Sequence, residues 1–316
     1  MDALRTPLVT PDPRSRGWGV EPRLDARARA GELVRVRRAV YVPAHEWVPD
    51  DRVAVATLGA RAAQARASVP LVFSHATAAL ILGLPVVGAH DRSLHVTNLT
   101  AAARRTRHGI VWHSTSRPEA IEVQTQGDLT VTTPRQTALD LARSASAVTA
   151  FIVADAVAHR SGNPAEVREW WVQRLGELGP ARGTRRAASV LGLVTGLAES
   201  PLESLSLLRM HELGFHLPEQ QIDVLTRRGL FRLDFGWEGG AIAGEADGRS
   251  KYGGIESAAQ MEQRLWEEKL RHDAVREKAR AYPRWTWDDA WLGSGPERAL
   301  LEAGVPRPHK PVRLSY

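Results

Sequence analysis

Residues 230–252 read LFRLDFGWEGGAIAGEADGRSKY. Two apolar runs in this stretch, from Leu230 to Trp237 and from Ala241 to Ala246, predict two strands that a glycine-containing turn connects. Asp234 lies inside the first run, and Glu245 lies near the end of the second. Because a carboxylate in an apolar strand is costly unless it is paired or binds a metal, the stretch predicts a sheet with a charged site on it.

The flanking sequence predicts the other elements of this domain. Upstream, Ser200 is a candidate N-cap with Pro201 in the first turn, and Gly214 is the candidate stop of the same helix. The remaining predicted elements are a strand at Gln221–Leu225, a long helix from Glu256 to about Arg280, a strand at Tyr282–Thr286, and a helix from Trp287. The predicted order within residues 198–316 is therefore helix, three antiparallel strands, helix, strand.

The acidic residues of the predicted strands indicate a metal site. Neighbouring antiparallel strands can bring Asp234 and Glu245 side by side, and alternation places Asp247 on the same face as Glu245. Three like charges repel, and a hard divalent cation, Mg²⁺ or Mn²⁺, would relieve the repulsion. Such an ion polarises a phosphodiester and lowers the pKa of an attacking water. Glu203 is a candidate fourth ligand, and Lys251 could reach the phosphate.

The stretch contains an aspartate, then ten residues, and then Glu-Ala-Asp-Gly-Arg-Ser-Lys-Tyr. This pattern resembles the PD-(D/E)XK nucleases, in the branch of the very-short-patch-repair (Vsr-like) endonucleases. The resemblance spans residues 198–292. It implies a restriction-endonuclease-like αβββαβ core with Asp234, Glu245 and Asp247 as metal ligands. The position two after Glu245, usually lysine in the family, is Asp247 here, and Lys251 lies four residues further on.

The N-terminal segment predicts a DNA contact. In residues 17–50, a short helix ending at Gly31 precedes two β-like runs that carry Arg35, Arg37 and Arg38. A helix followed by a basic hairpin is the order of the recognition helix and wing in a winged helix, so the segment predicts a partial winged-helix-like structure. The alternative is a solvated hairpin edge, because charges on edge strands also prevent aggregation.

The rest of the chain predicts an α/β (α+β) protein of several domains. Three prolines predict a disordered leader over residues 1–16. Residues 51–160 predict an α/β middle domain, and residues 161–197 a helical linker. The stretches LVRVRRAVYVP, SHATAALILGLP, LHVT and TVTTPRQTALDLAR resemble AbiEi-type antitoxins over residues 17–160. The resemblance implies DNA binding through the three arginines and a cognate toxin as a partner.

Several other side chains have two interpretations. His75, His95 and His113 are far apart without a ligand spacing, which favours packed or surface residues over a metal site. On the long C-terminal helix, basic residues either contact phosphates or belong to a solvated face with i,i+4 pairs; the two candidates for phosphate contact are Lys269 and Arg276. Tryptophans late in the chain either stack on bases or pack into the core; they are Trp285, Trp287 and Trp291.

Composition limits the classes of function. The net charge is +6, and residues 1–110 hold 16 arginines against nine acidic residues, which favours a polyanionic partner such as DNA. However, 38 arginines against four lysines could also reflect base composition. No apolar run approaches a membrane span, and no signal peptide pattern is present, so the sequence predicts a cytoplasmic protein without a membrane partner. The absence of cysteine excludes disulfides and cysteine-ligated zinc.

Two functions remain open at this point. The first is a DNA-binding protein with a Mg²⁺-dependent (or Mn²⁺-dependent) endonuclease domain that hydrolyses DNA phosphodiesters, in phage defence or DNA repair. The second is a non-enzymatic AbiEi-type antitoxin or transcriptional regulator with a degenerate nuclease fold. The lysine that Asp247 replaces favours the second function. The retained carboxylates favour the first, since loss of function usually releases such costly residues; they are Glu203, Asp234, Glu245 and Asp247.

Overall fold

The computed structural model describes residues 2–11, 20–88, 92–100, 106, 109–248 and 258–314. It is a mixed α and β structure, with three sheets in the part of the chain described. The chain divides into two compact units, residues 1–144 and 145–316. This single division differs from the boundaries expected from the sequence after residues 50, 160 and 197.

The first unit has four helices and seven strands in its described part. They are α1 (Val20–Arg29), β1 (Leu33–Arg37), β2 (Val40–Pro43), α2 (Arg52–Gln64), β3 (Val72–Phe73), α3 (His75–Ile81), β4 (Leu94–Asn98), β5 (Ile110–Ser114), β6 (Val123–Gln126), β7 (Leu129–Thr132) and α4 (Pro134–Ser144). Strands β1 and β2 form a hairpin, and the other five form a sheet in the order β5-β4-β3-β7-β6.

The core of the first unit lies on one face of the five-stranded sheet. Phe73, Val96 and Val131 are fully buried there and belong to one apolar cluster with Ala60 of α2. Leu94 joins the same cluster. Because side chains alternate along a strand, the residue between Leu94 and Val96 is directed to the opposite face. That residue is a histidine, and this face carries the polar cluster described below.

Residues 2–11 pack against the first unit, so the prediction of a disordered leader is wrong for this stretch. Val9 and Tyr41 exchange two backbone hydrogen bonds, of 2.8 and 2.9 Å. Ala3 is buried in a small apolar cluster. Backbone groups at the edge of β2 need partners, and these residues supply both the partners and apolar cover. Residue 1 and residues 12–16 of the predicted leader lie outside the described residues.

The second unit contains the predicted nuclease-like stretch. Its elements are α5 (Ala147–Arg160), α6 (Pro164–Leu178), α7 (Thr184–Leu191), α8 (Pro201–Leu213), β8 (Glu219–Thr226), β9 (Gly229–Trp237), β10 (Ile242–Asp247), α9 (Ala258–Arg276), β11 (Arg284–Thr286), α10 (Trp287–Leu292) and α11 (Ser294–Glu302). The sheet order is β11-β10-β9-β8, antiparallel except for the parallel pair β10–β11. The predicted order of helix, three strands, helix and strand is confirmed.

Helix α8 has the ends that its sequence predicts. The Ser200 hydroxyl accepts the backbone N–H of Glu203 at 3.2 Å, and Pro201 occupies the first turn. Gly214 ends the helix with a left-handed φ of +80°. Leu205 is fully buried on this helix. The caps and the apolar side therefore place α8 firmly in the core of the second unit.

The helices α5, α6 and α7 pack into the second unit rather than forming a separate linker. The buried carboxylate of Asp155 on α5 accepts the N–H of Gly196 at 2.7 Å and the hydroxyl of Ser204 at 2.8 Å. Ser204 belongs to α8. Helix α5, which the sequence assigned to the middle domain, is thus tied to the C-terminal unit through polar groups that must be satisfied when buried.

Candidate active site

One row of residues crosses the four-stranded sheet of the second unit. Glu245 on β10 pairs with Arg284 on β11. The register between β9 and β10, continued by one residue, places Asp234 opposite Glu245. The register between β8 and β9 likewise places Gln221 opposite Asp234. The row therefore contains an amide, two carboxylates and a guanidinium, and the predicted closeness of Asp234 and Glu245 follows from the strand pairing.

Asp234 is oriented by a backbone group of the neighbouring strand. Its Oδ2 accepts the N–H of Ala246 at 2.8 Å. The backbone pairing of β9 with β10 ends at Phe235 and Gly244. Beyond that point the Asp234 carboxylate, rather than a backbone carbonyl of β9, accepts the N–H of β10. Hydrogen bonds to a charged acceptor are stronger than neutral ones. The position of Asp234 beside Glu245 is thus determined by the sheet itself.

Glu245 is a buried carboxylate surrounded by donors. Its side chain lies among basic groups, since Arg271 of α9 donates to Oε1 and Arg284 lies 3.8 Å from Oε2. Burial, and then the charge of Glu245, raise the pKa of the Tyr282 hydroxyl, which stays protonated and donates to this carboxylate. Burying a carboxylate is tolerated only with such partners, and these groups compensate for the burial of Glu245.

Asp247 forms a bidentate ion pair. Arg284 donates from Nε and from a terminal nitrogen to the two Asp247 oxygens, at 2.8 and 2.7 Å, and it also donates to Glu268 at 2.8 Å. Burial lowers the pKa of Arg284, but the bonds to Asp247 and Glu268 outweigh that effect and leave the pKa raised. The repulsion expected between the carboxylates is therefore relieved by guanidinium groups of the protein, which the sequence prediction did not include.

Glu203 is connected to the row through Gln221. Its Oε2 accepts the N–H of Glu199 at 2.9 Å and the side-chain amide of Gln221 at 2.7 Å. Gln221 has a left-handed φ of +55° within β8. A non-glycine residue in that conformation costs about 1–3 kcal/mol, and such residues concentrate at functional sites. Glu203 thus holds the strained residue that lies opposite Asp234.

The remaining predicted residues of this unit lie elsewhere. Lys251 falls outside the described residues, as do residues 249–257 around it. Lys269 and Arg276 are exposed on α9, and the Lys269 ammonium lies 5.5 Å from the ring centre of Trp266. Trp285 is buried and donates to the Ser206 hydroxyl at 2.7 Å, so the packing interpretation is confirmed for this residue.

Sequence reasoning missed four residues of the site, namely Arg271, Arg284, Glu268 and Tyr282. A signal for Arg284 was present, because an arginine in the middle of a short predicted strand needs an acidic partner. The other three depend on how α9 and β11 approach the sheet. That approach is a tertiary feature, and the local sequence pattern does not contain it.

The arginines of the N-terminal hairpin lie on β1 and in the turn after it. The predicted order of a helix followed by a basic hairpin is confirmed. Arg35 lies 3.6 Å from Asp25, and Arg37 donates to the Gly109 carbonyl at 3.4 Å. Arg38 is exposed. All three side chains also line one groove of the first unit, which is described below.

Three histidines of the first unit stack on one another, although the sequence separates them. The ring centres of His75 and His113 are 3.5 Å apart, and those of His95 and His113 are 5.1 Å apart. His95 Nδ1 lies 2.9 Å from His113 Nε2. They meet because β5, β4 and β3 are neighbours in the sheet, and His75 lies two residues after the end of β3.

Two members of the histidine cluster, His75 and His113, are neutral near pH 7. Burial, followed by the charges of His113, His95 and Arg143, lowers the pKa of His75 well below its ordinary value. Burial and then His95 lower the pKa of His113 to about 4. Ser74 Oγ lies 2.9 Å from Nδ1 of His75, whose φ is +51°. The cluster is therefore a strained polar site outside the carboxylate row.

Over the described part of the chain, no three acidic or histidine side chains stand at the spacing of metal ligands. Among the helices in the same part, none combines the length and apolar character needed to cross a membrane. No protein-family model matches the sequence, and a comparison with curated proteins also gives no match.

Proposed function

We propose that the second unit is a Mg²⁺-dependent endonuclease that hydrolyses DNA phosphodiesters. The observation that carries this proposal is the pair Asp234 and Glu245, at adjacent positions of neighbouring strands, with Asp234 oriented by the N–H of Ala246. The resemblance of this stretch to the PD-(D/E)XK nucleases, together with the observed order of helix, three strands, helix and strand, supports it. Phage defence and DNA repair are both roles that such an activity would serve.

The residues present fit a magnesium ion in their chemistry. Magnesium is commonly held by one or two carboxylates together with waters and substrate phosphates, so two protein ligands suffice. Asp234 and Glu245 would hold the ion. Asp247 is left out of this ligand set, because both of its oxygens accept hydrogen bonds from Arg284. When bound, the ion would polarise the phosphodiester and lower the pKa of the attacking water.

The protein's own residues position the other groups. Arg271 pairs with Glu245, Arg284 lies 3.8 Å from it, and a guanidinium suits a phosphate as well as a carboxylate. Arg271 is the more accessible candidate to contact the scissile phosphate, in the role that the sequence gave to Lys251, because its side chain is 35% exposed against 24% for Arg284. Glu203 and Gln221 maintain the backbone opposite Asp234. Lys269 and Arg276 on α9 are further candidates for contacts to the DNA backbone.

Cleavage of a supercoiled plasmid in Mg²⁺ or Mn²⁺ tests the proposal. The Asp234→Asn and Glu245→Gln variants remove one negative charge each without changing the size of the side chain. We expect both variants to cut about 100-fold more slowly or worse, because charge stabilisation of the transition state is lost. Asp223→Asn is the matched control, since Asp223 is exposed on β8 in the same sheet. It should cut at the wild-type rate.

Two results would overturn the enzyme assignment. One is the absence of cleavage by the wild-type protein in either metal while a gel-shift assay shows bound DNA. The other is equal cleavage by the wild type and both carboxylate variants, which would place the activity at another site or in a contaminant.

A second candidate function is a non-catalytic DNA-binding regulator of the antitoxin type, with a toxin as its partner. The ion pairs favour it, because Glu245 and Asp247 already have guanidinium partners among the described residues. In that case Arg35, Arg37 and Arg38 would supply the DNA contact, as the AbiEi resemblance implies. Binding without cleavage, combined with co-purification of a protein toxin, would favour this function over the nuclease.

A further inference from the structure

A groove of about 1100 Å³ lies within the first unit, between the β1–β2 hairpin, α2 and the strands β4 and β5. It is strongly basic. Its described lining contains a single carboxylate, Asp50, against six arginines, which are Arg35, Arg37, Arg38, Arg52, Arg66 and Arg92. Arginine groups of this density attract anions, and they suit phosphates in particular.

The same groove has two indole rings in its wall. Trp47 and Trp112 line it, and both are only partly buried. Apolar side chains complete the lining, including Val55, Leu80 and Ile110. A site for inorganic phosphate alone needs no aromatic wall. The combination of arginines with accessible indoles suits a ligand that carries phosphates and flat rings together.

Several of the arginines are available to a ligand. Arg38 and Arg66 are exposed and form no ion pair with any residue that the structure describes. Arg52 is exposed as well and donates to the Val86 carbonyl at 3.0 Å. Arg38 lies in the hairpin turn, Arg52 begins α2, and Arg66 lies two residues after the end of α2. Phosphates along one strand could therefore contact the groove at several points.

We propose that this groove binds a single-stranded polynucleotide, with the arginines on its phosphates and Trp47 and Trp112 against its bases. A wing that enters a duplex must project from the protein surface. Here the hairpin arginines line a concave groove together with α2 instead. This proposal goes beyond the endonuclease assignment and does not depend on the carboxylate row.

Fluorescence anisotropy tests the proposal with the full chain and a labelled 12-nucleotide oligothymidine. EDTA is present, so that binding is measured without cleavage. We expect the oligothymidine, or the matching oligouridine, to bind at least about ten-fold more tightly than a duplex of the same length. Affinity should fall with salt by a slope of about 0.7 per phosphate contacted. Heparin is included as a polyanion without bases and should compete poorly.

Charge reversal locates the site. We expect the double variant Arg38→Glu/Arg66→Glu to bind at least about ten-fold more weakly, with a salt slope shallower by about 1.4. Arg117→Glu is the matched control, because Arg117 is exposed in the same unit and does not line the groove. Trp47→Leu should weaken binding about five-fold or more through lost stacking. Thermal melting verifies the folding of each variant.

The proposal fails if the duplex binds as tightly as the single strand, or if heparin competes as well as the oligonucleotide. It also fails if Arg117→Glu weakens binding as much as the double variant. A failed endonuclease would look different, because the plasmid would stay intact while single-strand binding in EDTA persisted. Preference between the DNA and RNA oligonucleotides would identify the natural polymer.

Discussion

At the scale of single residues, the stacked histidines make stability depend on pH. The folded protein holds His113 at a pKa of about 4, below the ordinary value of 6.5. In the unfolded chain His113 is therefore protonated near pH 6.5, whereas in the folded protein it is protonated only near pH 4. The free energy of unfolding should consequently fall as the pH is lowered from about 6.5 to about 4. Urea denaturation across this range measures the effect.

A His113→Asn variant should make the free energy of unfolding less dependent on pH, because the variant lacks the imidazole whose pKa is lowered in the folded protein. His45→Asn is the control, since the His45 side chain is exposed in the same unit. Parallel curves for the wild type and His113→Asn would contradict the assignment of the pH dependence to the cluster.

Some residues of the two sites could be predicted from the sequence, and others could not. Asp234 and Glu245 could be recognised because each interrupts an apolar strand, and the turn between the strands determines their pairing. The His75, His95 and His113 cluster could not, since it depends on β3, β4 and β5 being neighbours. Strand order in a sheet follows from long-range packing, and local alternation does not reveal it.

At the scale of elements, Gly214 links the end of α8 to the C-terminal segment. Its carbonyl accepts the N–H of His309 at 3.2 Å. A Cβ added at Gly214 would overlap the His309 carbonyl oxygen. Gly214→Ala should therefore lower the free energy of unfolding by more than the roughly 1–2 kcal/mol that a left-handed alanine costs. Chemical denaturation of the full chain provides the measurement.

Gly304→Ala is the matched control for this prediction. Gly304 has a similar φ of +76° in the same unit, but no atom lies within 4 Å of an added Cβ. Gly304→Ala should therefore lower the free energy of unfolding only by the roughly 1–2 kcal/mol that a left-handed alanine costs. If both variants lost the same stability, the contact between α8 and the C-terminal segment would have no energetic role.

Element ends were predictable wherever the sequence supplied a cap. Within the predicted helical linker, helix α6 runs from Pro164 to Leu178, because proline begins it and Gly179 follows it. Helix α9 ends at Arg276, earlier than the predicted Arg280. No glycine or proline follows it before the next predicted strand, so the sequence offered no stop signal.

At the scale of the whole molecule, α5 belongs to the second unit. The stability of fragments with and without α5 therefore tests where the chain divides. A fragment of residues 145–316 keeps the Asp155 carboxylate and its bonds to Gly196 and Ser204. We expect it to unfold cooperatively on heating. A fragment of residues 161–316 lacks α5 and should melt at a lower temperature or remain unfolded, because buried polar groups lose their partners. Equal melting of the two fragments would contradict the division at residue 144.

The sequence predicted the mixed α and β class, and its expected domain boundaries differ from the division after residue 144. Only two residues separate α4 from α5, and neither is glycine or proline. The stretch Gly179 to Gly183 has the composition of a linker, yet it connects the packed helices α6 and α7. Composition identifies linkers only when few contacts cross them, and contacts are a property of the fold.

The proposed divalent metal site at Asp234 and Glu245 can be measured by Mn²⁺ titration followed by electron paramagnetic resonance. We expect one bound Mn²⁺ for the wild type and for Asp223→Asn. We expect at least about ten-fold weaker binding for Asp234→Asn and Glu245→Gln, because each loses one anionic ligand. Equal Mn²⁺ affinity in all four proteins, with folding verified by thermal melting, would contradict the proposed site.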